Sequence, residues 1–160
     1  GYLVEDALLD GWFAAGEDGR VPIVCLLDDD GATAEVERIA RRLRSVTPGI
    51  AVVGPQGGRI DDWPLLGAAG TADATAMALA DPATRAIVVR LGRRDVIADG
   101  LGFAECALAL VAGAGGPETA LLSHHAAETR APTDHGAVDR ALDRVAAAAS
   151  RPISGGGADG

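Results

Sequence analysis

The chain predicts a three-layer α/β domain with a mostly parallel sheet between helices. Three observations point there. Largely apolar runs recur at Val21–Leu27 and Cys106–Ala112, and Arg85–Leu91 carries Ala86-Ile87-Val88-Val89 between two arginines, the pattern of strands buried on both faces. Segments of helical period lie between and after them, at Thr33–Arg44, Ala72–Ala80 and Asp134–Ala149. The length of 160 residues suits one domain with a sizeable core, assigned to residues 1–150, followed by a flexible tail at 151–160 that ends in Gly155-Gly156-Gly157 and beyond.

Taken in order, Tyr2–Phe13 reads as a short helix with Leu3, Ala7 and Leu8 on one side. Val21–Leu27 is the first strand. An acidic turn, Asp28-Asp29-Asp30-Gly31, leads into the helix Thr33–Arg44, which places Val36, Ile39, Ala40 and Leu43 on one face. Thr47-Pro48-Gly49 stops that helix. Ile50–Val53 is a short second strand, Gly54–Gly58 a loop, and Arg59–Leu66 irregular or an edge strand. Thr71 is the expected N-cap of a helix over Ala72–Ala80, with Pro82 beyond its end. Arg85–Leu91 is a strand, Gly92–Asp99 a polar connection, and Cys106–Ala112 a buried strand. Gly113–Pro117 is a turn. Leu121–Pro132 has no clear period. Asp134–Ala149 is the clearest amphipathic helix, with Val138, Ala141, Leu142 and Val145 aligned.

Composition excludes several functions. The net charge is −9 and no basic stripe interrupts it, which argues against nucleic acid. No apolar run reaches the ~18 residues of a membrane span, and no secretory segment opens the chain, so a cytoplasmic location is expected. Cys25 and Cys106 sit in separate apolar runs, as buried free thiols do. All 14 cations are arginine, so no mechanism that needs a lysine can be run by this chain alone.

Strand, tight turn and helix is where α/β proteins hold phosphates, because the helix N-terminus points unpaired N–H groups at the ligand. Gly19-Arg20-Val21-Pro22-Ile23-Val24, Ala74–Pro82 (ATAMALADP) and Arg90–Gly113 (RLGRRDVIADGLGFAECALALVAG) together resemble the central, ATP-binding domain of the Mur ligase family, in the form found in cyanophycin synthetases. Gly100-Leu101-Gly102-Phe103, Cys106 and Val111 keep that register without a gap. The resemblance implies a shortened P-loop fold of the Mur-ligase central type and, for an intact relative, ATP-dependent amide-bond formation with magnesium.

The departures from that family fall on its chemistry. Asp28 stands at the first glycine of the phosphate loop, Asp29 and Asp30 follow, Gly31 remains, and Ala32 occupies the lysine position. Thr33 keeps the hydroxyl that would reach magnesium. At ~4 Å and an effective dielectric near 20, each like-charge pair with a polyphosphate costs about 4 kcal/mol. Arg90 aligns with the glutamate that the resemblance marks as a magnesium anchor, a reversal of charge. The expectation is a degenerate, non-catalytic domain serving as scaffold or oligomerisation module. It has a vestigial phosphate loop at Gly31 and Thr33, a weak metal site at Asp28 and Asp30, and no bound cofactor unless ATP and magnesium still fit. Its expected partners are a second copy or neighbouring ligase domains. Arg90, Arg93 or Arg94 could close the old pocket by pairing with Asp28–Asp30.

Two other functions remain open from the residues. The chain could belong to an active ATP-dependent ligase resembling cyanophycin synthetase. Alternatively, Asp28-Asp29-Asp30-Gly31-Ala32-Thr33 after an apolar strand is similar to magnesium-dependent phosphoaspartyl domains, with Asp28 as nucleophile; those designs need a cation to offset the phosphoryl charge. His124, His125 and His135 near Glu128 read as exposed polar loop residues rather than metal ligands, and Ser123 lacks a nucleophile's setting. Arg38, Arg41, Arg42 and Arg44 read as a solvated helix face paired locally with Glu35 and Glu37.

Overall fold

The computed structural model describes residues 21–27, 33–55, 57–68, 70–92, 96, 103, 105–111 and 116–150. The expected helix at Tyr2–Phe13 and the tail at 151–160 lie outside them. Seven strands are described: β1 (Ile23–Leu27), β2 (Ile50–Gly54), β3 (Gly57–Ile60), β4 (Trp63–Pro64), β5 (Ala86–Leu91), β6 (Cys106–Val111) and β7 (Ala126–Arg130). Four helices are described with them: α1 (Thr33–Arg44), α2 (Thr71–Ala80), α3 (Pro117–His124) and α4 (His135–Ser150). The strands form one mixed sheet in the order β4-β3-β2-β5-β1-β6-β7. The five strands from β2 to β7 in that order are parallel, and β3 and β4 add an antiparallel edge.

The apolar runs become the centre of the sheet because both their faces need cover. Every residue of β1 is buried, as is every residue of β6. One face packs against α1 and α4: Val24, Leu26, Val88, Leu108 and Leu110 meet Ile39, Leu43, Leu142 and Val145. The other packs against α2 and α3: Cys25, Leu27, Ile87, Val89 and Ala109 meet Ala74, Ala78 and Leu122. Burying one such Leu, Ile or Val is worth about 1.5–3 kcal/mol before the entropy of ordering it is subtracted. The small buried face of α2 (Thr71, Ala74, Thr75, Ala78) presents little bulk to the strands beneath.

Helices α1 and α4 also meet through charge. Arg42 Nη2 donates to Asp143 Oδ1 at 3.0 Å, and the Arg42 and Arg38 guanidiniums lie 3.7 and 3.9 Å from Asp139. The arginine face is therefore only partly local in its pairing. Arg38 holds Glu35 on its own helix, while Arg42 reaches across to α4.

Four expectations are corrected. Gly54–Gly58 is not simply a loop. Gly57 and Gly58 belong to β3, paired with Gly54 and Val53, so the stretch is a tight hairpin whose backbone groups are used by the ladder. Gly58 fits there because a Cβ would lie 2.6 Å from the Val52 carbonyl oxygen. Thr71 is the first residue of α2, not its cap; Gly70 precedes it with φ +154°, and Thr71 Oγ1 is buried without a partner. Pro117 opens α3 as its first residue, where a missing N–H costs nothing, instead of closing a turn. Finally, the stretch without a clear period forms α3 and β7, with β7 completing the parallel edge beside β6.

Candidate functional site

In a parallel sheet, ligands settle beyond the carboxyl ends of the strands where the strand order reverses direction. Here β1 lies between β5 and β6. The chain leaves β1 through α1 toward the β2 side, and leaves β6 through α3 toward β7, on the opposite face of the sheet. The segments that follow β1 and β6 at this reversal are residues 28–32 and 112–115, both outside the described residues. The expected phosphate loop, with Asp28, Asp30 and Gly31, therefore lies outside them too. So do Arg93 and Arg94. Thr33 begins α1.

Arg90 is described. It is the fifth residue of β5 and pairs in register with Leu26 of β1, two positions before Asp28 in the chain. Alternation along β5 buries Ala86 and Val88 against the α1 layer and Ile87, Val89 and Leu91 against the other. Arg90 shares the parity of Ala86 and Val88, and lines a groove beside α1. Its Nε is buried and has no hydrogen-bond partner.

The groove has a volume of about 280 Å³. Val36 and Glu37, in the first half of α1, form one wall. Val52 and Gly54 contribute from β2, Gly57 and Gly58 from β3, and Pro55 from the turn between them. A Cβ on Gly54 would lie 3.9 Å from the Arg90 Cβ, an ordinary van der Waals contact.

Two cations and one carboxylate line this groove. Arg59 Nη2 donates to both Glu37 oxygens, at 2.7 and 2.9 Å, while Arg59 Nε donates to the Asp61 carbonyl at 3.0 Å. The hydrogen bond from Arg59 holds the Glu37 carboxyl below its usual range; burial opposes this, and the charges of Arg59, Arg44 and Arg41 reinforce it. Glu37 and Arg59 therefore largely satisfy each other, while the Arg90 Nε has no partner among the described residues. Sequence reasoning singled out Arg90 for its charge but did not bring Arg59, Glu37 or the hairpin glycines to it. Only the β2–β3 pairing does so, by setting Arg59 opposite Val52.

The remaining candidates resolve differently. His124 is exposed and ends α3, while His125 is half-buried in the turn that caps it, with the two rings edge to face at 5.2 Å. Glu128 lies on β7 and accepts hydrogen bonds from Arg130 Nε and Arg144 Nη2. His135 opens α4 and is exposed. Among the described residues, no group of three or more His, Cys, Asp or Glu side chains could hold a metal. Cys25 and Cys106 are buried free thiols, as their apolar settings predict. Also among the described residues, no helix is long and apolar enough to cross a membrane. No protein-family model and no curated protein matches this sequence.

Proposed function

We propose that this domain is a degenerate relative of the Mur ligase central domain, closest to the cyanophycin synthetase type, that acts as a non-catalytic scaffold or self-association module. The observation that carries the reading is Arg90. It stands beside the end of β1, next to the strand that leads into the old phosphate loop, at the position where the resemblance expects a metal-anchoring acid. A guanidinium there repels magnesium, and the three carboxylates of Asp28–Asp30 repel a triphosphate. No lysine exists elsewhere in the chain to compensate. The strand order is compatible with the family's parallel sheet, and the edge beside β4 exposes Trp63 and Leu66, each 78% accessible, as a contact surface would.

Isothermal titration of ATP and ADP with magnesium tests the reading. The expected result is no binding tighter than ~100 µM, an affinity worth about 5.5 kcal/mol. Tighter binding, or ATP hydrolysis that follows the protein through purification, refutes it.

A further inference from the structure

We infer that β7 is a self-pairing edge: two copies of this chain join their β7 strands antiparallel about a two-fold axis at Thr129, so that one sheet continues into the next. The inference rests on the self-association part of the reading above and not on the loss of nucleotide chemistry.

The two edges of the sheet are built differently. At one edge the Leu65 N–H donates to the Gly58 carbonyl at 2.8 Å, so alternation turns the backbone of Pro64 outward. Proline has no N–H, and β4 consists of Trp63 and Pro64 alone. That edge is guarded against strand addition. At the other edge β7 pairs with β6 and, among the described residues, with no further strand. The Cys106 N–H donates to the His125 carbonyl at 2.9 Å, and Cys106 is in register with Ala126. Alternation therefore turns the backbone groups of Ala127 and Thr129 toward β6, and those of Ala126, Glu128 and Arg130 away from it. No proline falls within β7, and Thr129 and Arg130 are exposed.

Charge selects a second copy as the occupant and fixes the register. Arg130 Nε donates to Glu128 at 2.7 Å, so the two side chains share one face of the strand. In an antiparallel pair centred on Thr129, Glu128 stands opposite the partner's Arg130, and Arg130 opposite the partner's Glu128. All four are outward-facing positions, so each pair also exchanges both of its backbone hydrogen bonds. Thr129 meets its own copy at the axis, and opposite charges and paired threonines are both favoured across strands. Centring the pair on Glu128 instead sets two carboxylates face to face. The charges around this edge balance, with Glu128 and Asp134 against Arg130 and Arg144. The net charge of −9 is spread over the whole chain and is screened beyond about 8 Å at physiological salt, so the edge decides. The helix packed on β7, α3, adds an exposed apolar side chain, Leu121.

Sedimentation equilibrium of the whole chain tests this, with four variants. The expected result is a reversible dimer. Arg130→Glu and Glu128→Arg should each weaken it at least tenfold, and an equimolar mixture of the two should restore it, because every cross-strand pair is then again of opposite sign. Thr129→Cys should form a disulfide-linked dimer under mild oxidation, since opposed residues of that type stand about 4.5 Å apart between Cα atoms. Ala127→Cys, which falls opposite the partner's Ala131, should not. Cys25 and Cys106 are buried and do not compete. A wild-type monomer at concentrations up to about 100 µM overturns the inference. So does Thr129→Cys cross-linking no faster than Ala127→Cys, or mixing that restores nothing. A dimer lost in Trp63→Ser but intact in Arg130→Glu also overturns it, while leaving self-association standing at the β4 edge. Tight ATP binding by a β7-paired dimer would instead sink the degenerate-ligase reading and leave this inference intact.

Discussion

Asp61 offers a sharp test of how the edge of this sheet is held. It sits between β3 and β4 with φ +52°, the positive-φ non-glycine residue among those described. Its side chain accepts from the Gly49 N–H at 2.9 Å and from the Ile50 N–H at 3.0 Å, and its own N–H donates to the Ile50 carbonyl at 2.9 Å. It thereby ties the hairpin to the start of β2. Asp61→Ala strips the acceptors from two buried N–H groups. Each such loss costs about 1–3 kcal/mol. The Asp61 side chain is 29% accessible, so water can replace part of the loss, and about 2–3 kcal/mol is expected for the pair. Alanine also sits badly at positive φ, at about 1–2 kcal/mol relative to glycine, offset by about 0.5–1 kcal/mol of glycine's extra unfolded-state entropy. The expected order of stability is therefore wild type, then Asp61→Asn, then Asp61→Gly, with Asp61→Ala lowest. The alanine variant should melt about 10 °C below wild type, at the few degrees per kcal/mol typical of a chain this size. Urea unfolding followed by far-UV circular dichroism gives the free energies. A loss under about 1 kcal/mol for Asp61→Ala, half the smallest value the hydrogen bonds allow, refutes the reasoning. So does a glycine variant less stable than the alanine one.

Two further outcomes follow from groups whose titration the structure perturbs. Glu37 has a lowered folded-state pKa, so its pairing with Arg59 contributes stability above the ordinary Glu range near ~4.3 that is lost as pH falls through the lowered value. Arg59→Gln should raise the Glu37 midpoint in a carboxyl carbon-13 titration; an unmoved midpoint contradicts the pairing. Burial holds the Cys25 thiol well above its usual value, with a smaller push from Cys106, and burial raises Cys106 to about 12. Neither thiol should react with a disulfide reagent at pH 8 in the native state, and both should react once the chain is unfolded. Rapid native labelling would place at least one of them outside the core.

The centre of the fold was legible in the residues, because a strand buried on both faces has to be largely apolar. Val21–Leu27, Arg85–Leu91 and Cys106–Ala112 foretell β1, β5 and β6 to within two residues at each end, and the 3.6-residue spacing of Val138, Ala141, Leu142 and Val145 foretells α4. The edges were legible only in part: Arg59–Leu66 reads as irregular or an edge strand, and most of β3 and β4 falls there. Gly57 and Gly58 carry no side-chain pattern, and their strand character comes from backbone pairing with β2, a partner that no local window contains. The same holds for β7, whose Ala126–Arg130 run has little apolar signal and is completed by β6. Of the candidate site, the sequence named Arg90, as a cation where the resemblance expects an acid.

What the chain alone determined is its core: which segments must leave water, and therefore an α/β sheet between helices. It also determined a chemistry without lysine. What only the tertiary structure decided is the company that individual charges keep. Arg59 meets Glu37 across 22 positions, Arg42 meets Asp143 across 101, and Arg90 is brought to the same groove as Glu37 and Arg59. The physical reason is range. Hydrophobic burial is written in periods of two and 3.6 residues, whereas a hydrogen bond between distant side chains depends on strand order and register, which exist only once the sheet has closed.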